Sequence, residues 1–142
     1  MNYEEKGTWV YFLVSLSAFG LYLIWLIAQI LSIPATTINY VVPMLGAIGG
    51  AIIAHITGTI LIAIAAPKEV GKQDERDREI DRYGEYRGQF LVNIGGAVVL
   101  GMCMLRIDYF WIVHVMYFAF VGSALTSSVV KIISYRQGFY PK

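Results

Sequence analysis

No charged side chain occurs between Lys6 and Lys68. A soluble surface carries charge throughout, on roughly a quarter of its residues. An uncharged gap of this length therefore excludes an ordinary water-facing fold, and it is long enough for two bilayer crossings of roughly 20 residues each. Cysteine is nearly absent: Cys103 is the single one, which excludes an intrachain disulfide and a thiolate metal cluster. Lying among Gly101, Met102 and Met104, it reads as a small packing residue. The formal net charge is only +1, too little to suggest a nucleic-acid partner. Catalytic signatures are missing as well. There is no serine elbow, HExxH, phosphate loop or CxxC, and no paired aspartates lie within an apolar run. The expectation is a non-enzyme without cofactor or metal.

What is present is apolar, with 57% of residues hydrophobic and 15% charged. Four runs predict membrane-spanning helices at about 9–30, 41–66, 89–105 and 109–130. The first would be about 33 Å long at ~1.5 Å per residue, enough to cross a hydrocarbon core. Trp9, Tyr11 and Trp25 lie toward its ends, where amphipathic rings suit the headgroup boundary. Its leader mixes Glu4 and Glu5 with Lys6, and the apolar run exceeds a 7–15-residue signal core, so the helix is expected to be retained. Pro34 and the polar residues after it predict a turn. Pro43 fits the first turn of the second helix, where a missing N–H costs nothing.

The composition reverses over 67–88, which holds six basic and seven acidic residues. After Gly71 this text favours a charged juxtamembrane helix. Asp74 with Arg78, Glu75 with Arg78 and Glu79 with Arg82 stand at helical spacing, each pair contributing only ~0.2–0.5 kcal/mol. The short connection Arg106-Ile107-Asp108 follows the third span. Lys6, the basic residues of 67–88, Lys131, Arg136 and Lys142 would share one side of the bilayer, against Arg106 alone on the other. By the positive-inside rule both termini and the charged segment are cytoplasmic. The fold class is all-α: an integral membrane four-helix bundle, one domain, with the lipid bilayer as its solvent.

Several features are candidates for function. Gly46, Gly50, Ala54 and Gly58 recur every four residues along the second helix, a row that lets another backbone approach closely. They read either as packing within one bundle or as a face toward another subunit, making a homo-oligomer. Weaker rows occur at Ala97 and Gly101, and at Ala119, Ser123 and Ser127. His55 and His114 lie within spans, where an ionisable group is costly. Each fits structural hydrogen bonding, proton or ion handling, or metal binding. With Asn93, whose amide needs partners, they outline a possible ion or proton path. Asp74, Asp77, Asp81 and Glu85 follow a spacing that gathers them on one helix face, together with Arg78 and near Arg82. This is a self-paired solvated helix or a surface for a cytoplasmic protein partner. Gly84 and Gly88, one turn apart, allow a bend or a close helix approach.

The stretch Asp74-Glu75-Arg76-Asp77-Arg78-Glu79-Ile80, followed by Gly84 and Gly88, resembles a signature of small prokaryotic four-span membrane proteins of unassigned function. In these an Asp-Glu-Arg-Asp core precedes the third span. The resemblance implies hairpin, charged loop, hairpin architecture in a prokaryotic cytoplasmic (inner) membrane, and it offers no activity to carry over. The leading expectation is a non-enzymatic, homo-oligomeric membrane protein whose charged segment docks a partner or modulates assembly. The alternative is a small ion or proton channel or transporter using the histidines.

Overall fold

The computed structural model describes residues 3–138. They form α1 (Tyr3–Ser32), a 3-10 turn (Ala35–Thr37), α2 (Val41–Ala65), α3 (Glu75–Met104) and α4 (Tyr109–Gln137). All four helices are long and apolar enough to cross a membrane, and no strand occurs among the described residues. Lys142, counted above with the basic residues, lies outside them.

Two helices run past the apolar limits that composition suggests. α1 is described from Tyr3, with Glu4 and Glu5 in its first turn, where carboxylates complement the positive end of the helix dipole. α4 continues through Lys131 to Gln137, and Gly138 follows at φ 79°. The charged segment is not a separate helix. Residues 66–74 form turns, with Gly71 at φ 76°. Asp74 then caps α3: the Asp77 N–H donates to its carboxylate at 2.7 Å, and its own N–H donates to Asp77 at 3.3 Å. This reciprocal box satisfies two otherwise unpaired donors. From there one uninterrupted helix carries the charged text directly into the apolar text.

The turn from α3 to α4 is equally defined. The N–H of Arg106 donates to Cys103 at 3.1 Å and that of Ile107 to Met102 at 3.0 Å, the paired bonds of a Schellman cap. This requires Arg106 at φ 54°. Asp108 then caps α4 by accepting from the Phe110 N–H at 2.9 Å.

The helices pack in the spatial order α2, α1, α4, α3, with α3 against α4 the most extensive contact and α2 and α3 on the outside. Glycine explains the tight pair. A Cβ at Gly88 would lie 2.7 Å from the Ser123 carbonyl and 3.1 Å from Ser127 Cβ, while one at Gly95 would collide with Ala119 and one at Gly84 with Lys131. The Ala119, Ser123, Ser127 row of α4 is therefore filled by α3.

α2 behaves differently. Met44 is its one buried residue. A Cβ at Gly46 or Gly50 would meet nothing within 4 Å, and Gly58 alone approaches another helix, at Val10 of α1. Close packing inside the chain thus falls on α3 and α4 instead of α2. Small residues permit close approach but do not specify which neighbour makes it.

Candidate functional site

The two ends of the molecule differ in chemistry. At the end holding Tyr3, the 66–74 turns and Gln137, charged side chains of three helices converge. Lys131 Nζ, its side chain largely covered, lies 2.7 Å from Asp81 and 2.6 Å from Glu85. The Ser127 hydroxyl donates to the same Glu85 oxygen at 3.1 Å. Burial disfavours a charged lysine here, but the hydrogen bonds it donates to Asp81 and Glu85 outweigh it and raise the pKa above its usual value. Arg136 reaches Glu5 at 3.9 Å and lies over the Trp9 ring, and Lys6 reaches Glu69 at 3.7 Å.

Asp77 is 3% exposed. Besides its capping role it hydrogen-bonds Tyr135, whose phenol is pushed up by burial and by the charges of Asp77 and Glu4. Arg76 donates to the Tyr135 carbonyl at 3.4 Å. The start of α3 is thus pinned to the end of α4. The residues expected to form a docking row separate accordingly. Asp74, Asp77, Asp81 and Glu85 engage the chain itself, while Arg78 and Arg82 are exposed. Among the described residues the expected Asp74–Arg78, Glu75–Arg78 and Glu79–Arg82 pairs do not form; the ion pairs of this helix run from Asp81 and Glu85 to Lys131.

Beneath this network is a cavity of about 340 Å³, with Glu4, Tyr11, His55, Thr59, Asp81 and Lys131 among its walls. Glu4 forms no ion pair among the described residues. Burial, then Asp77 and Asp81, raise its pKa above the ordinary carboxylate value. His55 is half-buried at the inner end, its ring edge-on to Tyr11 at 4.9 Å between centroids. The ring forms no hydrogen bond among the described residues. Tyr11 and His55 also line a second, apolar cavity of about 350 Å³ that reaches Phe19 and Tyr117.

The opposite end is closed by aromatic packing. Tyr22, Leu26, Ile38, Met44, Phe110 and Tyr117 form the buried core. His114, 3% exposed, sits among these rings, its own ring 4.2 Å from Phe110 and 5.1 Å from Tyr40 between centroids. Its Nδ1 donates to the Phe110 carbonyl at 2.6 Å, a partner that only accepts. This leaves Nε2 to accept from the Tyr22 hydroxyl at 2.7 Å. Both ring nitrogens are thus satisfied within the core. Asn93 is exposed on the outer side of α3, beside a groove that contains neither histidine. The structure does not gather the three residues of the expected path.

Sequence reasoning missed Lys131, Tyr135 and Glu4 as members of one network and Tyr22 as the partner of His114. Lys131 carried a signal, being the first charge after the fourth apolar run. No protein-family model, curated protein or solved structure matches the chain.

Proposed function

We propose that the chain is a non-enzymatic, multi-pass protein of a prokaryotic cytoplasmic membrane, with both termini cytoplasmic, that works as a homo-oligomer joined through α2. One contrast supports this reading. The glycine row of α3 is filled by α4, whereas Gly46, Gly50 and Ala54 of α2 remain open along a groove of about 550 Å³ between α1 and α2. Helices in lipid gain from close backbone approach where small residues permit it, and beyond Gly58, which meets Val10, the row on α2 has no close neighbour inside the chain. A second copy of α2 supplies one. The charged half of α3, held by Lys131 and Tyr135, then presents Arg78 and Arg82 to a cytoplasmic partner. The likeness of 74–88 to the four-span prokaryotic signature belongs to the same proposal. In a Cys103→Ser background, Gly50→Cys should give a cross-linked dimer in native membranes. Absence of that product, with a Leu31→Cys control equally unlinked, counts against the α2 contact.

A second reading, a small ion or proton transporter, is favoured by the polar cavity that ends at the unbonded ring of His55. It rests on His55 and Glu4 rather than on His114 or Asn93. Proton flux into liposomes that is abolished by His55→Ala supports it, and flux indifferent to that change removes it.

A further inference from the structure

The groove along the outer side of α3 and α4, about 720 Å³ in volume, lies on a different face from α2 and belongs to neither reading above. Its residues are ordered by depth. Arg87 stands at the charged end, its guanidinium donating to the Tyr83 hydroxyl at 2.8 Å and lying 5.0 Å from that ring's centroid. These contacts hold the guanidinium at the helix surface while further N–H donors stay available, since the group carries five. Gln89 lies two residues on, about 3 Å further along the axis. Asn93 lies about 9 Å beyond Arg87 along the axis, at ~1.5 Å per residue, and Thr126 of α4 shares the groove. The side chains of Gln89, Asn93 and Thr126 form no hydrogen bond among the described residues. Phe90, Leu91 and Val130 make up the apolar wall.

Asn93 stands in the apolar part of α3, exposed, with an amide that must find partners where water is scarce. The order along α3, a cation and then amides deeper in the apolar text with Phe90 between them, matches the order of the polar groups in a phospholipid, phosphate and then ester carbonyls. The depth matches as well, because each interfacial zone of a bilayer is roughly 5–8 Å thick. We infer that this groove binds one anionic phospholipid, with its phosphate on Arg87, its ester oxygens on the Gln89 and Asn93 amides, and its acyl chains passing Phe90 into the bilayer beyond Asn93. Guanidinium suits a phosphate because its planar donor fork meets two oxygens at once.

The test is native mass spectrometry of the full chain in detergent, titrated separately with phosphatidylglycerol and phosphatidylcholine. The intact protein should retain phosphatidylglycerol about fivefold better, the factor of one basic side chain at an anionic lipid surface. Arg87→Gln should abolish that preference, and Asn93→Leu should weaken retention of both lipids. Arg82→Gln, exposed on the same helix but outside the groove, should change neither. Both altered side chains are exposed, so matching circular dichroism is expected and is checked first. Equal retention of the two lipids by the unaltered chain overturns the proposal, as does an undiminished preference in Arg87→Gln. An Asn93→Leu protein that loses oligomer mass while keeping its lipid also overturns it, because the groove is then a protein contact.

Discussion

Tyr22 of α1 donates its hydroxyl to His114 of α4 at 2.7 Å, inside the aromatic core that closes one end of the molecule. The bond joins two helices that stand at the centre of the packing order, and it completes the hydrogen bonding of a buried imidazole. Tyr22→Phe should therefore cost about 1–3 kcal/mol, the penalty for leaving a buried acceptor unmet. Adding His114→Phe should recover part of that loss, since removing both partners leaves nothing unsatisfied. Thermal unfolding of the single and double variants in one detergent measures the coupling. Strictly additive losses would show that the two side chains act independently.

The two glycine rows should respond in opposite senses to the same small change. Gly88→Ala places a Cβ 2.7 Å from the Ser123 carbonyl, forcing α3 and α4 apart at a cost of about 1–3 kcal/mol, as overpacking does. Gly46→Ala meets nothing within one chain, and in detergent dilute enough to hold the chain monomeric it gains roughly 1 kcal/mol of helix propensity. Comparing thermal midpoints of the two variants checks the pair, and equal effects would be inconsistent with the packing order described.

Arg106 occupies the left-handed backbone conformation at the end of α3, where a side chain costs about 1–2 kcal/mol. Arg106→Gly should raise stability by roughly 0.5–1 kcal/mol, provided the Schellman bonds persist. A lowered midpoint in the variant would mean that the arginine side chain makes a compensating contact.

The charged end should loosen in alkali. The pKa values of Tyr135 and Lys131, both beyond the apolar part of α4, are raised above their ordinary values of 10.0 and 10.5. In each case the folded state holds its proton more firmly than the unfolded chain. The resulting stability is fully present below the ordinary pKa and is lost as pH rises above about 10 toward the folded-state pKa. Glu4 acts in the same sense at acid pH, since its raised pKa favours the folded state below the ordinary value of 4.5 and withdraws that contribution above it. Tyr135→Phe should flatten the alkaline limb of a stability profile measured by circular dichroism. An unchanged limb in that variant would assign the transition to other groups.

Much of the fold was readable in the sequence because long apolar helices impose coarse requirements. The uncharged gap from Lys6 to Lys68 and the polar turn after Pro34 each act locally, and each places a boundary or a connection where composition expects one; the Asp74 cap was not anticipated. The partners were not readable. Which helix would meet Gly50, and which would meet Gly88, depends on how four similar apolar rods are arranged, and small-residue spacing is nearly the same in both. The charged row of α3 shows the same limit: helical spacing suggested local pairs with Arg78 and Arg82, but Lys131 approaches Asp81 and Glu85 from another helix. His114 was legible as unusual, while its role depended on Tyr22, remote in sequence.

The central claim is that the open face of α2 is a contact between copies, and the most direct measurement is the protein mass of the particle in lipid nanodiscs. The unaltered chain should form a multiple of its 15.9 kDa subunit. Gly46→Leu with Gly50→Leu should reduce it to one subunit without loss of helicity, because neither position touches the rest of the chain. A single subunit in the unaltered protein, or an oligomer unchanged by the double substitution, would contradict the account.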